Sequence, residues 1–126
     1  MDKAKKISDA EWLVCQVLWR RSPQAANEIV ASLADKTDWN PRTVKTLLNR
    51  LVKKNVLGYE NHGREYHYFP RLSEEECVLA QTQSFVQRVF DGAAGAMVAT
   101  FLNSRQLSSK EIAELKTILK QKSGKK

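Results

Sequence analysis

No acidic residue occurs from Asn40 to Lys54, fifteen consecutive positions that hold Arg42, Lys45, Arg50, Lys53 and Lys54. The chain is sparing in other ways. Its 126 residues include 2 cysteines, 3 prolines and 5 glycines. Cys15 and Cys77 form no CxxC pair and no metal-ligand spacing, so they read as reduced packing residues. There is no Gly-rich phosphate loop, no HExxH, and no nucleophile with a plausible base and orienter. The expectation is a protein that is not an enzyme and needs no cofactor and no metal. His62 and His67 lie five residues apart about a turn. They read as turn and surface residues, because no cysteine or carboxylate completes a ligand set. No apolar run approaches the roughly 20 residues of a bilayer span. The start, Met1-Asp-Lys-Ala-Lys-Lys6, is polar and has no apolar stretch with a cleavage site behind it. These absences point to the cytoplasm and to no membrane partner.

What is present is a basic chain with enough apolar residues for a core. Lys plus Arg number 21 against 14 for Asp plus Glu, the net charge is +7, and 42% of residues are hydrophobic. The balance favours an anionic partner without choosing one. The excess of positive charge is larger in residues 1–72 than in 73–126.

Caps and periods mark the helices. Ser8-Asp-Ala-Glu11 is a capping box, followed by Trp12, Leu13, Cys15, Val17, Leu18 and Trp19; this predicts a helix to about Arg21, broken by Ser22-Pro23. A shorter helix is expected over Ala25 to about Leu33. Asn40 suits an N-cap and Pro41 the first helical position. Val44, Leu47, Leu48, Leu51 and Val52 then recur at the spacing of one buried stripe. Arg42, Thr46, Asn49 and Lys53 point the opposite way, with Lys45 on the shoulder. Around His62-Gly63, "VLGYENHGREYHYFP" reads as a hairpin, with strands near Val56–Glu60 and Glu65–Phe69. Three helices closed by a basic-tipped hairpin is the winged helix-turn-helix layout.

Two more capping boxes follow, Ser73-Glu-Glu-Glu76 and Ser108-Ser-Lys-Glu111. The first opens a helix with Phe85 and Val89 on its apolar side; the second opens one with Ile112, Leu115 and Ile118. Between them Ala93–Leu102 is almost wholly small or apolar, including Met97, Val98, Phe101 and Leu102. A helix apolar all round has to be buried on all sides. Fifty-four residues cannot readily do that alone, so a second copy of the chain is the economical cover. The fold expected is mainly α with a small β-hairpin: a winged-helix DNA-binding domain over residues 1–72 and a helical dimerisation domain over 73–126. The expected dimer interface includes Phe85, Val89, Met97, Val98, Phe101, Leu102 and Leu115.

Duplex DNA explains the missing acids. It carries a negative charge every ~1.7 Å of axis, which would repel a carboxylate on a helix lying in its groove. Arg42 and Lys45 can donate to guanine, Asn49 can pair with adenine, and the methyl of Thr43 or Thr46 can meet that of thymine. Arg50, Lys53 and Lys54, on later turns, suit phosphates, as does Arg64 at the hairpin tip. A winged-helix protein-interaction module is the alternative, since the fold does not dictate DNA binding.

The stretches "ISDAEWLVCQVLW", "ANEIV", "WNPRTVKTLLNRLVKK", "GREYHYFP" and "SFVQRVFDG…MVATFL…LSSKEIAELKTIL" resemble the penicillinase-repressor family, which includes β-lactamase and methicillin-resistance repressors and a copper-responsive branch. The pattern from Trp39 to Leu47 is the most specific part. The resemblance implies a homodimeric winged-helix repressor on a pseudo-palindromic, double-stranded operator of antibiotic-resistance type genes, with DNA-reading positions at Arg42, Thr43, Lys45 and Thr46 and Arg50 in the basic flank. It also implies a regulatory protease that cuts the dimer region. Resistance repressors of the family are cut at an Asn-Phe bond; this chain has Thr100-Phe101 there. The copper branch ends in a cysteine-rich motif, whereas this tail is "KQKSGKK". A family repressor released by another signal, metal or stress, is the alternative.

Overall fold

A computed structural model describes residues 6–124. The element order is α1 (Asp9–Arg20), β1 (Gln24–Ala25), α2 (Ala26–Leu33), α3 (Pro41–Lys53), β2 (Leu57–His62), β3 (Glu65–Pro70), α4 (Glu74–Phe90), α5 (Ala94–Ser104) and α6 (Ser109–Ser123). The chain divides into two compact units, Met1–Ser84 and Phe85–Lys126.

In the first unit the predicted local signals are all used. The Ser8 hydroxyl accepts the Glu11 N–H at 3.1 Å, and the Glu11 carboxylate accepts the Ser8 N–H at 2.8 Å. The Asn40 side chain accepts the Thr43 N–H at 2.9 Å, with Pro41 at the first helical position. Both arrangements satisfy donors that a helix start leaves unpaired. Val14, Cys15 and Leu18 of α1, Ile29 and Leu33 of α2, and Val44, Leu47, Leu48 and Leu51 of α3 form one buried cluster with Val56 and Leu57. Each such side chain contributes about 1.5–3 kcal/mol by leaving water. The four buried positions of α3 therefore fix which of its faces stays outside. Trp12 and Trp19 meet edge to face at 5.1 Å, and the Trp19 indole N–H donates to the Leu72 carbonyl at 3.0 Å.

The sheet is larger than a hairpin. Its three antiparallel strands run in the order β1-β3-β2, with Gln24 opposite Tyr68 and Ala25 opposite His67. The strand Gln24–Ala25 was not expected, and the preceding stretch contains a cis Ser22-Pro23 bond. The turn falls at Gly63-Arg64, one residue later than expected, because His62 still pairs with Glu65. Gly63 has φ +74, a left-handed conformation that a turn assigns to glycine.

Recognition of the α3 end is also specific. Asn55 has φ 65; its N–H donates to the Val52 carbonyl, and the Val56 N–H donates to the Leu51 carbonyl, both at 3.0 Å. This is a Schellman cap, with asparagine in the position usually held by glycine.

In the second unit, α5 and α6 bury no residue within the chain. Val98, Phe101 and Leu102 are exposed, as are Phe85 and Val89 of α4, while Met97 and Leu115 are half-buried. The all-apolar segment is thus not covered by its own chain. No helix among the described residues is long and apolar enough to cross a membrane.

Candidate nucleic-acid interface

The apolar stripe of α3 faces the core, so the rest of its circumference is presented outward. Arg42, Lys45, Thr46, Asn49, Arg50 and Lys53 are exposed and Thr43 is half-buried. The Thr46 hydroxyl donates to the Arg42 carbonyl at 3.0 Å. Its proton is thereby occupied, and what it offers outward is an acceptor oxygen and a methyl group.

Lys45 and Asn49 share a cleft of about 550 Å³ with Arg64 of the β2–β3 turn. Two cations and an amide from elements far apart in sequence are thus brought to one concavity. Asn27 of α2 and, from β3, Tyr66 and the acidic Glu65 line it as well. None of the three was singled out from the sequence. The available signal was weak: Tyr66 belongs to the alternation of the hairpin, and Asn27 sits one residue into a short helix. Arg42, Thr43, Thr46, Arg50 and Lys53 lie outside this cleft on the same helix.

Lys54 is placed differently from the expectation. Its ammonium donates to the Glu11 carboxylate at 2.5 Å and to the Lys6 carbonyl at 2.6 Å. Glu11 is only 1% exposed. A buried carboxylate left alone is costly, so this pair holds Lys54 inward, at the junction of α1 and α3 rather than toward a phosphate. Burial pushes the Glu11 carboxyl up, but the Lys54 hydrogen bond, the Ser8 N–H and the Lys54 charge together bring it below its ordinary value.

The wing carries an aromatic ladder. Tyr59 and Tyr66 stack at 4.4 Å, and Tyr68 packs beside them, buried. Burial, then the neighbouring Tyr66 and Tyr59, raises the Tyr68 phenol, which keeps it neutral. Cys15 and Cys77 are both free and buried, and burial pushes the Cys15 thiol up to about 12. A thiol so held is inert packing rather than a nucleophile.

A three-helix core, a three-stranded sheet and an outward basic third helix define a winged helix-turn-helix protein. The sequence profile described as penicillinase repressor matches residues 7–121, and the chain belongs to that family. It is 37% identical over 126 residues to the penicillinase repressor of Bacillus licheniformis, covering 100% of this chain and 98% of that one. It is 31% identical over 121 residues to the methicillin resistance regulatory protein MecI of Staphylococcus aureus, covering 96% and 98%. The solution structure of the Bacillus licheniformis BlaI monomeric form in complex with the blaP half-operator matches with a TM-score of 0.50 and 38% identity, over 56% of this chain and 87% of that one.

Proposed function

We propose that this protein is a transcriptional repressor of antibiotic-resistance genes that binds double-stranded operator DNA as a homodimer, each copy laying α3 in a major groove. One observation carries the reading. The exposed face of an acid-free helix converges with the turn of the wing on a cleft lined by Lys45, Asn49 and Arg64. The likeness to a repressor solved on its half-operator supports it. In this reading Arg42, Thr43, Lys45, Thr46 and Asn49 face bases, and Arg50, Lys53 and Arg64 face phosphates. Lys54 acts by holding α3 against α1. Occupancy of the promoter is the mechanism, and no chemical step is involved.

Residues 1–72 serve as the reading domain and 73–126 as the dimerisation domain in this proposal. The exposed Phe85, Val89, Val98, Phe101 and Leu102 support a second copy as the cover, together with the half-buried Met97 and Leu115. A regulatory protease acting at Thr100-Phe101 would meet a bond inside α5. Proteases bind extended backbone, so release by cutting runs through local opening of that helix.

Selection of duplex fragments by the purified protein, followed by sequencing, tests the reading. An inverted repeat with two half-sites is expected, with binding that weakens steeply as salt rises. Salt-insensitive capture of no preferred duplex would assign the fold to protein interaction instead.

A further inference from the structure

The wing bears four titratable side chains that the reading set leaves unused. Glu60 stands opposite His67, and His62 opposite Glu65. Directly opposed residues and alternate residues of a strand share a face, so all four lie on one face of the hairpin. The tyrosine ladder belongs to the other. His62 Nε2 is 3.1 Å from Glu60 Oε1, and His67 Nε2 is 3.4 Å from Glu65 Oε1. The two imidazoles stack, with centroids 4.2 Å apart and planes at 14°. Arg64 sits in the turn between the strands. On the far side of β3, β1 contributes Gln24 and Ala25, neither of which titrates. The next charged groups there are Glu28, whose carboxylate accepts the Ala25 N–H, and its partner Arg21. Among the described residues no three His, Cys, Asp or Glu side chains are arranged to hold a metal ion.

We propose that this histidine–glutamate quartet makes the wing a proton-responsive part of the DNA interface, strengthening duplex binding as pH falls through the histidine range. The inference rests on the DNA-binding reading above. With both imidazoles neutral, the two carboxylates offset the Arg64 guanidinium and the Lys45 ammonium that shares the cleft with Glu65. One proton on the stacked pair tips that balance to net positive, which attracts phosphate. Phosphates near the wing favour each protonated form, so DNA binding takes up protons and becomes pH-linked. Histidine is the side chain whose ordinary charge change falls in the range of about pH 5–8. The carboxylates are more than half exposed, so the pairs count for little in folding stability. Their weight is in the charge they set at the interface.

The test uses the full chain, a mixed-sequence duplex, and the double variant His62→Gln/His67→Gln, at fixed ionic strength between about pH 8 and pH 5.5. Wild-type affinity is expected to rise roughly tenfold per pH unit at the steepest part, the signature of about one proton taken up. The salt slope should also be steeper at the acidic end by about 0.9, one phosphate's worth. Both effects should vanish in the double variant. Persistence of the same pH dependence in that variant overturns the proposal and leaves the DNA reading intact. Failure of wild type to bind any duplex at any pH overturns both. Ring-proton NMR of the free protein supplies a second arm: His62→Gln should shift the His67 ring resonances, because the two rings stack at 4.2 Å. Unchanged His67 ring resonances overturn the pairing.

Discussion

Lys45 and Lys54 are the same residue type on the same helix segment, yet the structure gives them opposite duties. Lys45 is exposed beside Asn49 and Arg64; Lys54 closes on a buried Glu11. Lys45→Ala should cost ~1–3 kcal/mol on the selected operator and less on random duplex, measured by titration of each. An equal loss on both would reassign Lys45 to phosphate contact. Lys54→Met should act on stability instead. It strands the Glu11 carboxylate, and breaking such a pair from one side costs about 3–5 kcal/mol, readable as a lower denaturant midpoint. The pH dependence has a definite sign. The Glu11 carboxyl is held below its ordinary value, so the pair stabilises the fold above about pH 4.3, the unfolded carboxylate value, and that contribution is lost as pH falls through the lower folded value. Wild type should lose its advantage over Glu11→Gln in that acid window; an advantage independent of pH would remove the ion pair as its cause.

At the scale of elements, what was legible in the sequence was what depends on near neighbours. The caps at Ser8, Asn40, Ser73 and Ser108 each close over three residues and could be read directly. The stripe of α3 repeats at a fixed period, and its exposed face followed from that. What was missed depends on distant partners. β1 is two residues long and exists because β3 pairs with it. The Glu11–Lys54 contact spans 43 positions. The stacking of His62 on His67 appeared only once the strand register was set, whereas their carboxylate partners Glu60 and Glu65 lie just two residues away on the same strand. The wing offers its own prediction. Arg64 lies in the turn and shares the α3 cleft, so Arg64→Ala should weaken binding to all duplexes alike and flatten the salt slope by about one unit. An unchanged slope would detach the wing from DNA.

For the whole molecule, the decisive quantity is apolar surface without a partner in the chain. Phe101 is 51% exposed on a helix that buries nothing. Covering it with a second copy links stability to protein concentration, so dilution should lower the unfolding midpoint of the second unit. Phe101→Asp would place a carboxylate in that interface without a partner, which costs several kcal/mol or forces the interface open. The expected product sediments as a monomer and has weak operator affinity, since one half-site alone gains no avidity. An intact dimer at matched concentration would move the interface elsewhere.

The chain passes from α3 to β2 through only Lys54, Asn55 and Val56. Val56 is wholly buried, and its carbonyl receives the N–H groups of Arg71 and Leu72 at 2.8 and 3.4 Å. With the left-handed Asn55 cap on one side and this pair of hydrogen bonds on the other, the connector has no slack. Helix and wing consequently behave as the two jaws of a fixed caliper rather than as two probes on a leash. The gauge of that caliper is set by the protein, so a half-site in which one base pair is inserted between the two contacts, about 3.4 Å of extra rise, fits one jaw only.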